Sequence, residues 1–125
     1  MEYTFTVFTP TFNRAASIHR VYESLQSQTF RDFEWLIVDD GSADLVRRWI
    51  KEADFPITYM KQNHAGKHVA WNHALQKARG GWFVIADSDD AFVPNALERL
   101  LEVYKSIPEK DAAKYRGVTC RCITD

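Results

Sequence analysis

The sequence has little of what marks several protein classes. Its two cysteines, Cys120 and Cys122, are spaced for neither a disulfide nor, without a second pair, a zinc site, so we expect buried free thiols in a reducing compartment. The formal net charge is -1, which lacks the basic field of nucleic-acid-binding proteins, and we expect no nucleic-acid partner. No apolar run approaches the roughly 20 residues of a membrane span, and no basic signal segment opens the chain. We therefore expect a cytoplasmic protein, at most peripheral to the inner face of a membrane, with membrane contact through a longer parent chain.

The common nucleotide-binding and zinc-binding motifs are also missing. Neither G-x-x-x-x-G-K-[ST] nor G-x-G-x-x-G occurs, which argues against a P-loop nucleotidase and an ordinary dinucleotide fold. His64, His68 and His73 lack the spacing of a zinc helix; we expect His73 to pack against a neighbour and His64 to line a site. The length of 125 residues suggests one domain over 1–125.

Short apolar runs alternate with patterns of helical period along the chain. Strands are predicted over 3–9, 33–38, 57–60, 82–86 and 118–123, with Pro10 breaking the first. Helices are predicted over 15–28, after Ser42, over 66–79 and from Pro94. The third should bury Ala70, Trp71, Ala74, Leu75 and Ala78 and end at a left-handed Gly80-Gly81. The order predicts a Rossmann-like α/β domain, a mostly parallel sheet with helices on both faces.

Candidate ligand-binding residues follow three of these strands, where ligands bind in open parallel sheets. They are Pro10, Thr11, Asn13 and Arg14 after the first, Asp39 and Asp40 after the second, and Asp87, Asp89 and Asp90 after the fourth. Five carboxylates in one crevice would repel one another, so we expect a divalent cation such as Mg²⁺ or Mn²⁺. The first acidic pair suits a structural turn equally well, whereas the second acidic run exceeds what a turn requires.

Two basic residues lie where helices begin. Arg14 precedes the first helix, and Lys67 follows Gly66 at the start of the third. A helix N-terminus favours anions and a nearby cation strengthens diphosphate binding, although each residue, judged singly, could also be a solvated surface cation. The pattern predicts a site for a metal-chelated nucleotide diphosphate.

Several of these runs together resemble one known family. The runs over 7–14, 27–30, 32–34 and 38–42, then Asn63, Gly66-Lys67, Ala70, Asn72 and Ala74, and finally Asp87-Ser88-Asp89 are similar to motifs of family 2 glycosyltransferases of the GT-A fold. The match covers nearly the whole chain in the right order. The resemblance therefore implies a nucleotide-diphospho-sugar transferase fold of GT-A type.

The resemblance also implies a chemistry and a set of roles. The donor would be a nucleotide-diphosphate sugar, often a UDP-sugar, with Mn²⁺ or Mg²⁺, and the sugar would pass with inversion to an acceptor hydroxyl of a saccharide, a lipid-linked sugar or a cell-surface glycan. Pro10, Thr11 and Asp40 would contact the base. Asn13, Arg14 and Lys67 would lie near the nucleotide. Asp87 would face the ribose and the metal, Asp89 would ligate the metal, and Asp90 and Asp39 would support them. The catalytic base is expected beyond Asp125, so this part would mainly bind the donor.

Other functions share some of these features. A non-catalytic nucleotide-sugar-binding or regulatory module would carry the same motifs. A receiver-like phospho-acceptor domain needs an acid pair after the first strand, where this chain has Pro10 and Thr11. A haloacid-dehalogenase-type phosphatase carries its D-x-D element on the first strand, whereas here the element follows the fourth.

Overall fold

The computed structural model describes residues 2–12, 15–41, 53–115 and 117–118, with the side chains of residues 15 and 16 left out. These residues form the strands β1 (Tyr3–Thr11), β2 (Phe33–Asp39), β3 (Ile57–Lys61) and β4 (Gly80–Ile85). They also form the helices α1 (Ala15–Gln26), α2 (Lys67–Lys77) and α3 (Ala96–Lys105), and a 3₁₀ helix over Glu109–Lys114. The helix predicted after Ser42 and all but the first residue of the strand predicted over 118–123 lie outside the described residues.

The four strands form one parallel sheet in the order β3-β2-β1-β4. β1 is central, with Thr11 in register with Asp39 of β2 and Phe8 in register with Ile85 of β4. Because all four strands run the same way, their carboxyl ends meet at one edge of the sheet. The predicted parallel α/β architecture is confirmed.

Helices cover both faces of this sheet. On one face α1 contributes Ile18, Val21, Tyr22 and Leu25 and α3 contributes Leu97 to a core with Phe5, Val7, Trp35 and Ile37. On the other face Ala70 and Ala74 of α2 pack on Phe8, Leu36 and Val38. Alternate residues of each central strand thus enter opposite layers, so β1 and β2 are buried on both sides.

The prediction that Pro10 breaks the first strand is wrong, because β1 continues to Thr11. The carbonyl of Phe8 accepts a hydrogen bond from the N–H of Ala86, on the β4 side of β1. Backbone groups two residues apart in a strand face the same neighbour, so the backbone nitrogen of Pro10 also faces β4. The register with β4 ends at Phe8 and Ile85. The missing proline N–H therefore removes no ladder bond, and proline is tolerated.

The predicted buried face of α2 is too broad. Ala70 and Ala74 are buried, but Trp71 and Leu75 are 36% and 50% exposed and His73 is exposed, so the expected packing of His73 is wrong. The two small alanine side chains let the helix axis lie close to the sheet. Trp71 and Leu75 are each about 100° around the helix from these alanines, so they lie at the edge of the helix–sheet contact.

The predicted glycine stop after α2 is also wrong. The helix ends at Lys77, Ala78 is extended, and Gly80 begins β4 without a positive φ. No helix among the described residues has the length and apolar character needed to cross a membrane.

Candidate functional site

A pocket of about 440 Å³ opens at the carboxyl ends of the strands. It is bounded by the end of β1, the residue after β2, the start of α2 and the loop after β4. Its lining residues are Pro10, Thr11, Phe12, Asp40, His64, Gly66, Lys67, Ala70, Asp87, Ser88 and Asp89. The pocket therefore lies where parallel α/β sheets bind their ligands.

The structure brings most of the predicted site residues to this pocket. Six of them line it: Pro10, Thr11, Asp40, Lys67, Asp87 and Asp89. Of the other described candidates, Asp39 and Asp90 lie outside the lining. Asn13 and Arg14 lie outside the described residues. Residues up to 79 positions apart in the chain, from Pro10 to Asp89, thus meet around one space.

Asp39 and Asp90 are both engaged in internal contacts. Asp39 is fully buried at the end of β2, and the hydroxyl of Tyr59 donates a short hydrogen bond to its Oδ2. The Oδ2 of Asp90 accepts the N–H of Asp87 at 3.2 Å, and the N–H of Asp90 donates to the carbonyl of Asp87 at 2.9 Å. Asp90 therefore closes a tight turn around Ser88 and Asp89, two residues of the pocket wall.

The Asp40 carboxylate binds the loop that leads into α2. Its Oδ1 accepts hydrogen bonds from Ala65 N–H and Gln62 Nε2, both at 2.7 Å. Gly66 N–H donates to Oδ2 at 3.1 Å, and Nδ1 of His64 lies 3.0 Å from the same oxygen. These donors, Ala65 N–H foremost, lower the pKa of the Asp40 carboxyl from its ordinary value of 3.8. The ionised Asp40 therefore fixes the loop before α2, which forms part of the pocket wall.

Asp40→Asn is expected to destabilise the protein in a pH-dependent way. Because the folded-state pKa of Asp40 is lowered, its ionised form stabilises the fold above pH 3.8, and this contribution is lost as the pH falls through the lowered pKa. Urea midpoints of the two proteins should thus differ most near neutral pH and converge on strong acidification. A difference between the two urea midpoints that stays constant at every pH would contradict this role of the ionised Asp40.

Lys67 and Asp87 form an ion pair across the pocket. Nζ of Lys67 lies 2.8 Å from Oδ1 of Asp87, and both side chains are about half exposed. Lys67 is the first residue of α2, and Asp87 follows β4. Because both partners reach solvent, the pair itself adds little stability, and the Lys67 ammonium can exchange partners when an anion enters.

The expectation that five carboxylates meet in one crevice is wrong, because three of them, Asp40, Asp87 and Asp89, line the pocket while Asp39 and Asp90 do not. Asp39 bonds to Tyr59, Asp40 to backbone N–H groups and Asp87 to Lys67. Across residues 2–12, 15–41, 53–115 and 117–118, no group of three or more His, Cys, Asp or Glu could hold a metal. Carboxylates on the wall still suit Mg²⁺ or Mn²⁺, which bind one or two acids and complete their shell with phosphate and water oxygens.

An aromatic pair also lines the pocket. The rings of Phe12 and His64 have centroids 4.5 Å apart and planes tilted by 35°, and Phe12 is 43% exposed. The expectation that His64 lines the site is confirmed. Phe12 also lines the pocket, although it was not among the predicted site residues. The signal was its position directly after Thr11, where β1 ends and the side chain leaves the sheet.

Known proteins with similar sequences and folds are glycosyltransferases. An uncharacterized glycosyltransferase of Haemophilus influenzae is 31% identical over 122 residues, which cover 96% of this chain and 40% of the relative. The structure of S. aureus TarS 1–349 in complex with UDP-GlcNAc matches with a TM-score of 0.70 at 28% identity, over 82% of this chain and 31% of that one. Mannosyltransferase PcManGT from Pyrobaculum calidifontis, in complex with GDP-Man and Mn²⁺, matches with a TM-score of 0.68 at 30% identity, over 74% of this chain and 29% of that one.

This chain thus spans well under half the length of these proteins. Their fold is the GT-A type, in agreement with the parallel sheet described above. The family model for glycosyl transferase family 2 matches residues 6–115. Because that match takes in most of the 125 residues, the chain belongs to glycosyl transferase family 2.

Proposed function

We propose that this chain is the donor-binding part of a glycosyltransferase that moves a sugar from a nucleotide-diphosphate sugar, most simply a UDP-sugar, to an acceptor hydroxyl. The observation that carries the proposal is the meeting of Pro10, Thr11, Asp40, Lys67 and the Asp87/Asp89 pair in one pocket. Family membership and the nucleotide-sugar complexes of two similar structures support it.

In this proposal the β1 end of the pocket receives the nucleoside. Pro10 and Thr11 form its floor, and Asp40 faces the base, with Asn13 and Arg14 near the nucleotide. Both carboxylate oxygens of Asp40 already accept hydrogen bonds from the protein, so few lone pairs remain for the nucleotide base. The base therefore meets a wall that is fixed in advance and need not be reorganised on binding.

The diphosphate would lie against the start of α2. Gly66 and Lys67 form that part of the wall, and the first N–H groups of a helix favour anions. Lys67 would then turn its ammonium from Asp87 to the phosphate oxygens. This exchange keeps the lysine paired before and after binding, and it leaves Asp87 free to meet a cation or the ribose.

Asp87 and Asp89 would hold Mn²⁺ or Mg²⁺, with Asp89 as the metal ligand and Asp90 supporting it through the turn at Asp87. When bound, such an ion neutralises the charge that develops on the leaving nucleoside diphosphate. Nζ of Lys67 lies 2.8 Å from Asp87, so the Lys67 ammonium can also stabilise the negative charge that develops on the leaving nucleoside diphosphate.

The transfer itself would proceed by a single displacement with inversion. The acceptor hydroxyl attacks the anomeric carbon, its proton passes to a carboxylate base, and the nucleoside diphosphate leaves. We propose that the base and the acceptor site lie in chain beyond Asp125, with a saccharide, a lipid-linked sugar or a cell-surface glycan as the acceptor. The cytoplasmic location and a role in polysaccharide biosynthesis belong to the same proposal.

UDP with Mn²⁺ is expected to raise the melting temperature of this chain, and Asp89→Ala is expected to abolish the rise. Ligand at 100-fold its Kd should add about 2.7 kcal/mol to the free energy of unfolding. Glu109→Ala, which removes an exposed acid from the 3₁₀ helix, is the matched control and should keep the full shift. Differential scanning calorimetry with UDP, GDP and each metal alone makes the comparison. No shift with any nucleoside diphosphate, or an equal shift in Asp89→Ala, would overturn the proposal.

A further inference from the structure

A buried amide lies in the segment over 27–30 that follows α1. Gln28 is only 3% exposed, and all its polar atoms make hydrogen bonds. Its Nε2 donates to the carbonyls of Ser24 at 3.0 Å and Val93 at 2.8 Å, and its Oε1 accepts the N–H of Leu97 at 3.1 Å. Gln28 therefore joins the end of α1 to the start of α3.

The start of α3 depends on this contact from a distant part of the chain. Its own N-cap residue, Asn95, makes no side-chain capping hydrogen bond. The Oε1 of Gln28 accepts the N–H of Leu97 in the first turn, which is the bond that a capping side chain ordinarily supplies. Thr29 adds a second link, since its N–H donates to the carbonyl of Pro94 at 2.9 Å and its hydroxyl to Glu98 at 3.0 Å.

The acid segment, residues 87–90, lies between two fixed points. Before it, Ala86 N–H donates to the carbonyl of Phe8 on the central strand at 2.8 Å. After it, the carbonyl of Val93 is held by Gln28, and Phe92 packs against the main core. The short chain between these points is closed on itself by the turn at Asp90. Its geometry is therefore set by the anchors at its two ends.

We infer that Gln28 is a positioning residue that fixes the acid segment in its place on the pocket wall. This inference rests on the proposed function, in which Asp87 and Asp89 meet a metal ion bound to the donor diphosphate. Gln28 touches neither the metal nor the donor. It acts through Val93 and Leu97, and the carboxylates it fixes need no rearrangement when the ion binds.

The test separates the metal-dependent part of donor binding from the rest. Calorimetric titration of UDP is performed with and without Mn²⁺ on the wild type, Gln28→Ala and Gln28→Met. Both variants should reduce the affinity gain from Mn²⁺ about tenfold. This is the lower end of the loss for groups that bond to metal ligands directly, since Gln28 acts through Val93 and Leu97. Binding of UDP without metal should change little, because Pro10, Thr11 and Lys67 lie on other elements. Gln28→Met keeps the side-chain volume, so it carries the test where Gln28→Ala does not fold.

Val21→Ala is the matched control for lost stability. Val21 is fully buried on α1 in the core that Phe92 also contacts, so its truncation destabilises the domain without touching the bonds of Gln28. This variant should keep the full affinity gain from Mn²⁺. Hydrogen exchange without ligand supplies a second readout, with faster exchange at residues 87–97 in the Gln28 variants than in Val21→Ala.

Three results are decisive. An unchanged Mn²⁺ gain in both Gln28 variants overturns the inference while the proposed function stands. An equal loss in Val21→Ala also overturns it, because the effect is then one of general stability. Where the wild type itself binds UDP no better with Mn²⁺, the proposed metal site fails, and the exchange rates of residues 87–97 alone decide whether Gln28 fixes the acid segment.

Discussion

Gly80→Ala is expected to lower the free energy of unfolding by about 3 kcal/mol, the upper end for an overpacked site. A Cβ atom at Gly80 would lie 2.5 Å from the carbonyl carbon of Phe5 and 2.7 Å from the hydroxyl oxygen of Thr6, and still closer to the Thr6 nitrogen. These are atoms of the central strand, which cannot move without breaking the pairing of β1 with both neighbours. Urea unfolding followed by fluorescence measures the loss.

Gly117→Ala is the matched control, because no described atom lies within 4 Å of a Cβ atom built there. Where the new Cβ atom meets no other atom, replacing glycine by alanine usually stabilises the protein slightly, because it reduces the conformational entropy of the unfolded chain. The two variants should thus differ by several kcal/mol in the same assay, on the order of the overpacking cost. Similar midpoints for both would show that β1 and β4 are farther apart than the structure places them.

Glu34→Ala is expected to cost about 3 kcal/mol, because it leaves buried donors without an acceptor. Glu34 is 1% exposed on β2, and its Oε1 accepts the Thr6 hydroxyl at 2.7 Å and the Arg79 N–H at 2.6 Å. The Thr6 hydroxyl in turn accepts the N–H of Gly80 at 2.8 Å. Three strands therefore share one hydrogen-bond network at the edge of the sheet opposite the pocket.

Glu34→Gln separates the hydrogen bonds from the charge. The amide oxygen can still accept from Thr6 and from Arg79 N–H, while the contact of the carboxylate with Arg79 Nε at 3.1 Å is lost. Its cost should be about 1.5 kcal/mol, the lower end for a hydrogen bond to a charged group, because the Arg79 side chain is 43% exposed. Chemical denaturation at neutral pH gives both values. Equal losses in the two variants would mean that the network is held by charge alone.

The sequence was sufficient to predict where the site would form. Runs such as Phe33–Asp39, which is mostly apolar and ends in an acid, indicate buried parallel strands, and parallel strands bring their carboxyl ends together. From this rule alone Thr11, Asp40, Asp87 and Asp89 could be expected around one pocket, as the structure has them. Topology therefore determined the location of the site without any knowledge of side-chain contacts.

The sequence could not predict how the acids are neutralised. The main partners of Asp40 are the backbone N–H groups of Ala65 and Gly66, which every residue but proline carries and which leave no mark in the sequence. The prediction therefore took the carboxylates to repel one another and placed a divalent cation among them. Likewise, the exposure of Trp71 depends on how closely Ala70 brings α2 to the sheet, which a periodic pattern does not specify.

The strand order also bears on how the chain folds as it is made. β1 is one of the two inner strands and precedes the other described strands in the chain, yet its second neighbour begins at Gly80, which pairs with Tyr3. At translation rates of about 5–20 residues per second, roughly 4–15 s pass between the synthesis of the two strands. During that interval β1 has at least one unpaired edge, and an unpaired edge of an apolar strand can pair with another chain until β4 covers it.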